Sequence, residues 1–280
     1  MGPRLFGIPA TEASSIAILR RGPSDWSHVG RWDPEAGTYE PGAWIHGRLY
    51  PQRCDVSPDG RWLVAFIYKD SWSWQAGPTY LAVSRLPWLT ALAAWGTGST
   101  WTRGLRFVPK GTAAFPPGPP DVGDVAPLLA RYDVELRRAI SFAVERDRGW
   151  TETAGTPPFE TRGAWDERDV ERVTMEKSRP GDPATRLLVR GRFAAHRSME
   201  PAVGGVRYLI APAGADDGDA MSLRDVQWAD WSRDGRLLVA TMTGELEVRD
   251  DPGREDASWR HDLSSMTPSP QPAPAEGSRW

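Results

Sequence analysis

The sequence has a single cysteine, Cys54, and only three lysines, Lys69, Lys110 and Lys177. One thiol cannot close an internal disulfide, which excludes a disulfide scaffold and a cysteine-based zinc site. Nearly all of the 34 basic residues are therefore arginine. Codon usage in a GC-rich genome produces such a bias. The alternative is selection of arginine for bidentate contacts, and nothing in the spacing singles it out. Neither sign of charge is in excess: 37 acidic residues leave a net charge of −3. Without a basic surplus to hold phosphates, nucleic acid is not an expected partner. No run of 18 apolar residues occurs, so no membrane-spanning helix is expected. The apolar run Ser15–Leu19 is too short for a secretory core, and its basic pair, Arg20-Arg21, follows it. Gly2 follows Met1, but Phe6 stands where myristoylation needs Ser or Thr. These absences point to a cytoplasmic protein with no membrane attachment.

Glycine and proline are plentiful, at 28 and 26 of 280 residues, which disfavours a helical bundle or coiled coil and calls for many turns. A hydrophobic fraction of 40% is near the globular average, enough for a sizeable core. Strand signals dominate. Segments 61–68 and 80–86 are short, β-branched or aromatic, and bounded by turns. In 132–144 apolar residues fall mostly on alternate positions, which predicts a strand from 131 onward, with a turn of helix allowed at 124–129. Segments 172–176 and 186–193 flank Ser178–Pro183, a good hairpin connection. Strands are also predicted at 206–211, 236–242 and 245–250. Residues 116–127 read as a long surface loop. Residues 266–280, rich in proline and serine, have the composition of a disordered tail. Trp280 at its end reads as incidental, the alternative being a short anchor for a partner.

The most informative feature is an internal repeat. Residues 54–67 read CDVSPDGRWLVAFI and residues 229–242 read ADWSRDGRLLVATM. Each copy is a short strand, an Asp-Gly turn and a strongly apolar strand. Gly60 and Gly235 can take the positive φ that a tight turn requires, and Asp59 and Asp234 can bond its backbone. Asp55, Ser57, Asp59 and Gly60 thus correspond to Asp230, Ser232, Asp234 and Gly235 as structural turn residues. Repeated antiparallel units of this layout bury both faces when arranged as a toroid of sheets.

Ser57-Pro58-Asp59-Gly60-Arg61-Trp62-Leu63-Val64-Ala65 and Trp231-Ser232-Arg233-Asp234-Gly235-Arg236-Leu237-Leu238-Val239-Ala240 resemble the repeat of TolB-type and WD40-like β-propellers. The likeness covers about a tenth of the chain. The second copy has Arg233 in place of proline, and the Gly-His to Trp-Asp spacing of eukaryotic WD40 blades is absent. The resemblance implies an all-β propeller and a binding role. The strand groups 14–50, 54–96, 100–146, 170–213 and 228–265 suggest five blades of four antiparallel strands, with four or six as the adjacent counts. On this reading 1–13 is an N-terminal lead-in, 14–265 the propeller and 266–280 the tail.

Catalytic patterns are scarce. There is no phosphate loop, no dinucleotide fingerprint, no His-Glu-x-x-His helix and no nucleophile elbow. His28, His46, His196 and His261 are scattered, so no metal site is expected. Cys54 reads as buried and inert. Asp55, Asp166 and Asp230 fall near blade starts, where a propeller glycosidase would place its acids. The equivalence of Asp55 and Asp230 in the repeats argues instead for structure. No catalytic residue, metal or cofactor is expected.

Tryptophan is abundant at 15 residues. Most should fill the space between sheets. Trp72 and Trp74 differ, because they lie on a loop between two strands, where exposed aromatic rings are hot-spot material for a partner. Trp88, Trp95 and Trp101 follow closely. The expected function is a non-enzymatic protein-interaction scaffold. The alternative is a propeller enzyme, or a binder of a small ligand such as a carbohydrate, that uses the central channel.

Overall fold

The structure, a computed structural model, describes all residues except 1, 23–24, 70–74, 113–116, 139, 156–169, 195–205 and 215–218. Over the described residues the chain is all-β, with 48% strand and two short helices. Its described strands form five antiparallel sheets. They divide between two compact units, one made of residues 3–138 and 265–280, the other of residues 1–2 and 139–264.

The first unit begins with a four-stranded meander: β1 (Arg4–Pro9), β2 (Ile16–Arg21), β3 (Trp26–Asp33) and β4 (Thr38–His46). Next come β5 (Arg48–Leu49), β6 (Asp55–Val56), β7 (Trp62–Tyr68), β8 (Thr79–Arg85), β9 (Ala93–Gly96), β10 (Leu105–Val108), β11 (Val122–Gly123), helix α1 (Ala126–Leu129) and β12 (Asp133–Leu136). Six of these strands make one sheet around β7 and β8, while β10 and β12 pair separately. The run Trp62-Leu63-Val64-Ala65-Phe66-Ile67 is buried at every position. A strand without polar alternation is stable only when both faces are covered. One face of β7 packs Trp62, Val64 and Phe66 against Leu105 and Val134 of the two-stranded sheet.

The second unit contains α2 (Ala143–Asp147), then β13 (Thr151–Gly155), β14 (Val170–Arg179), β15 (Asp182–Ala194), β16 (Arg207–Pro212) and β17 (Met221–Ser222) in one five-stranded sheet. A four-stranded meander follows: β18 (Val226–Trp231), β19 (Leu237–Thr241), β20 (Glu245–Arg249) and β21 (Trp259–Asp262). The β14–β15 hairpin closes through Pro180 and Gly181. Its core collects Phe142, Met175, Val189 and Phe193 with Trp231 and Val239 of the meander.

Four sequence expectations differ from this architecture. The lead-in is not outside the sheets: β1 pairs with β2 through Phe6 opposite Leu19 and Ile8 opposite Ala17, and Ile8 is fully buried. The strand expected over 132–144 stops at Leu136; the Arg137 amide makes one further bond to the Gly104 carbonyl, and its side chain turns inward to the carbonyls of Gln52 and Cys54. Farther on, Phe142 takes φ 53, a left-handed conformation incompatible with a strand, and caps α2. The C-terminal segment is held in place. Arg20 donates to the Met266 carbonyl at 3.0 Å, Arg85 donates to that of Glu276 at 3.3 Å, and the Trp280 ring lies 5.4 Å from that of Trp62. Composition predicted disorder because the segment has no core of its own; it is held by groups contributed from elsewhere. Finally, only the two meanders have four strands; the other sheets have six, two and five.

Candidate interaction site

The two repeat turns are built alike. Ser57 Oγ donates to Asp59 Oδ1 at 2.6 Å and accepts from the Trp62 amide at 2.9 Å. Ser232 Oγ donates to Asp234 Oδ1 at 2.5 Å and accepts from the Arg236 amide at 2.8 Å. Gly60 (φ 72) and Gly235 (φ 84) donate to the Ser57 and Ser232 carbonyls. The serine hydroxyl and the glycine thus satisfy turn groups that no strand partner reaches.

The hairpins beneath these turns differ by one residue. Asp55 lies opposite Val64, but Asp230 lies opposite Leu238, the counterpart of Leu63. The change is made in the turn: Ser57 N donates to the Trp62 carbonyl, whereas Ser232 N donates to that of Arg236. The equivalent aspartates consequently have different partners. Asp55 accepts from the Phe107 amide at 2.8 Å and pairs with Arg137 at 3.3 Å, both side chains being 2% exposed. Asp230 pairs with Lys177 of β14 at 2.7 Å and also accepts from the Trp231 amide. Each aspartate ties its hairpin to another sheet of its own unit. A carboxylate so enclosed and neutralised is placed to hold strands together and has no open side for a substrate. Asp166 lies outside the described residues.

The histidines are engaged in packing. His28 is fully buried, with its ring 4.7 Å from that of Trp44 and its Nε2 accepting from the Gly42 amide at 3.3 Å. That bond assigns the ring proton to Nδ1. Burial, assisted by the charge of Arg20, pushes the His28 pKa down to about 4. The His46 ring meets Trp26 edge-on and the His261 ring stacks on Trp259. His196 lies outside the described residues. Among the described residues, no group of three His, Cys, Asp or Glu side chains could hold a metal ion. Cys54 is buried, and its thiol donates to the Tyr50 carbonyl at 3.2 Å.

Trp72 and Trp74 lie outside the described residues. The structure instead exposes Trp101, which at 68% is the most open large hydrophobic side chain among the described residues. Its loop is tightly fixed. Thr97 and Thr102 hydroxyls both donate to the Ser99 carbonyl, and Ser99 Oγ accepts from the Trp101 amide at 3.1 Å. Beneath it, Arg53 donates to the carbonyls of Thr100 and Thr102, on either side of the tryptophan. The same guanidinium lies over the rings of Tyr50 and Phe66, 4.9 and 5.0 Å from their centroids. The residue immediately before the first repeat therefore braces an outward-facing tryptophan. The sequence offered one local signal, the turn-forming run Thr97-Gly98-Ser99-Thr100 just ahead of the ring. The brace from Arg53 left no mark there, because it spans 49 positions to Thr102.

No family model matches the sequence, and no curated protein and no solved structure matches it. The functional reading therefore rests on the residues and their arrangement.

Proposed function

We propose that the chain is a non-enzymatic protein-interaction scaffold whose sheets are the blades of a TolB-type, WD40-like propeller. That three of the five sheets, β1–β4, β13–β17 and β18–β21, have strand order equal to chain order supports the blade reading. So do the matching Ser-Asp-Gly turns of two hairpins far apart in the sequence. A propeller suits a scaffold because rigid sheets hold their connecting loops in fixed positions for a partner.

The observation that carries the binding role is Trp101, exposed on a loop already braced by Arg53. A large ring held open to water on a preordered loop loses little conformational freedom on docking. The test compares the wild-type chain with Trp101→Ala in pull-downs from the native organism, quantified by mass spectrometry. The reading expects a protein captured by the wild type and lost with the variant while the fold is unchanged. Recovery of the same proteins by both chains overturns it.

A further inference from the structure

One end of the five-stranded sheet gathers arginines that are scattered in the sequence. The pairing sets Arg172 of β14 directly opposite Arg192 of β15, and Arg190 of β15 directly opposite Arg207 of β16. Leu223 donates to the Tyr208 carbonyl, which continues the β16–β17 register and brings Arg224 alongside Arg207. Residues opposite one another, or two apart on a strand, share a face. All five arginines therefore belong to one face, the one opposite the core residues Val173, Met175 and Val189. Arg172, Arg192, Arg207 and Arg224 are exposed, and Arg190 is partly so.

Like charges placed directly opposite each other on a sheet repel. Arg172 and Arg190 have further interactions of their own, but Arg192, Arg207 and Arg224 have no ion pair or side-chain hydrogen bond among the described residues. Glu176, an acid on this face, pairs with Arg186 at 2.5 Å. The apolar side chains here, Leu188 and Leu209, are buried. Among the described residues this face has abundant guanidinium and no exposed aromatic or aliphatic anchor of the kind a protein hot spot needs, nor rings on which single-stranded bases could stack. It has forked donors matched to phosphate oxygens.

We propose that this arginine cluster binds the phosphate backbone of duplex nucleic acid without reading its sequence. Strands lie about 4.8 Å apart, so the row from Arg190 through Arg207 to Arg224 spans about 10 Å. Arg192, Arg207 and Arg224, the three with no other partner among the described residues, set the number of phosphate contacts at about three. The net charge of −3 gave no sign of this site, because it sums over the whole sequence. This site stands apart from the Trp101 loop and does not depend on the scaffold reading.

The test is binding of the full chain to a random-sequence DNA duplex of roughly 20 base pairs, followed by fluorescence anisotropy at several salt concentrations. About three phosphate contacts give a slope of log K against log salt of about −3, or roughly 40-fold weaker binding at 200 than at 50 mM. The double variant Arg192→Gln/Arg207→Gln should make the slope shallower by about 2. Its denaturation midpoint should equal or exceed that of the wild type, since it relieves the repulsion. Trp101→Ala should bind the duplex unchanged, which separates this proposal from the docking role of that loop. Absence of saturable binding at low salt, or an unchanged slope in the double variant, overturns the proposal. Tighter binding of an oligo-glutamate peptide than of the duplex also overturns it, and assigns the face to an acidic protein.

Discussion

Replacing Arg137 with methionine is the sharpest probe of how the repeat hairpin is held. The wild-type guanidinium pairs with Asp55 at 3.3 Å and donates to the carbonyls of Gln52 and Cys54 at 3.1 and 2.7 Å, with both charged side chains 2% exposed. Methionine keeps the apolar stem but removes the positive charge and leaves the Asp55 carboxylate enclosed without it. Breaking a buried pair from one side costs about 3–5 kcal/mol. Removing both charges with Arg137→Met/Asp55→Asn should recover part of that loss, because a neutral side-chain amide at position 55 can still accept from the Phe107 backbone. The assay is urea denaturation of the wild type, both single variants and the double variant. A coupling energy of at least about 2 kcal/mol between the two sites is expected. A loss below about 1 kcal/mol for Arg137→Met, or additive single variants, would refute the claim that this pair ties the hairpin to the β10–β12 sheet.

His28 makes stability depend on pH. Its folded pKa of about 4 lies below the ordinary 6.5, so as pH falls the unfolded chain takes up the proton first. The contribution is fully present above pH 6.5, declines toward pH 4 and totals about 3 kcal/mol; His28→Gln should flatten the wild-type stability profile across that window in urea titrations. Gly60→Ala and Gly235→Ala should each destabilise by about 1–2 kcal/mol, because both glycines have positive φ and the added methyl would meet the Ser15 side chain or the Pro180 carbonyl. Unchanged denaturation midpoints for both would contradict the turn geometry. Deleting residues 275–280 removes the Trp280 ring from Trp62 and the Arg85 bond to Glu276, and should cost about 1–2 kcal/mol on denaturation. A truncated chain as stable as the full one would show that the segment is not part of the packed fold.

The features legible in the sequence are those whose causes are local. The Ser57-Asp59-Gly60 and Ser232-Asp234-Gly235 turns satisfy themselves within five residues, so residue identity at fixed spacing announced them. The apolar run 62–67 announced a strand buried on both sides for the same reason. Long-range pairing decided the rest. One residue of register separates hairpins with nearly identical sequences and gives Asp55 and Asp230 different partners. A carbonyl 85 positions away draws Arg137 inward, next to where β12 ends. Arg192 and Arg207 are ordinary members of an arginine-rich composition until strand pairing brings them to one face. A side chain's type is written in the chain, but its neighbours across a sheet depend on register, and register is fixed only when distant strands close on a shared core.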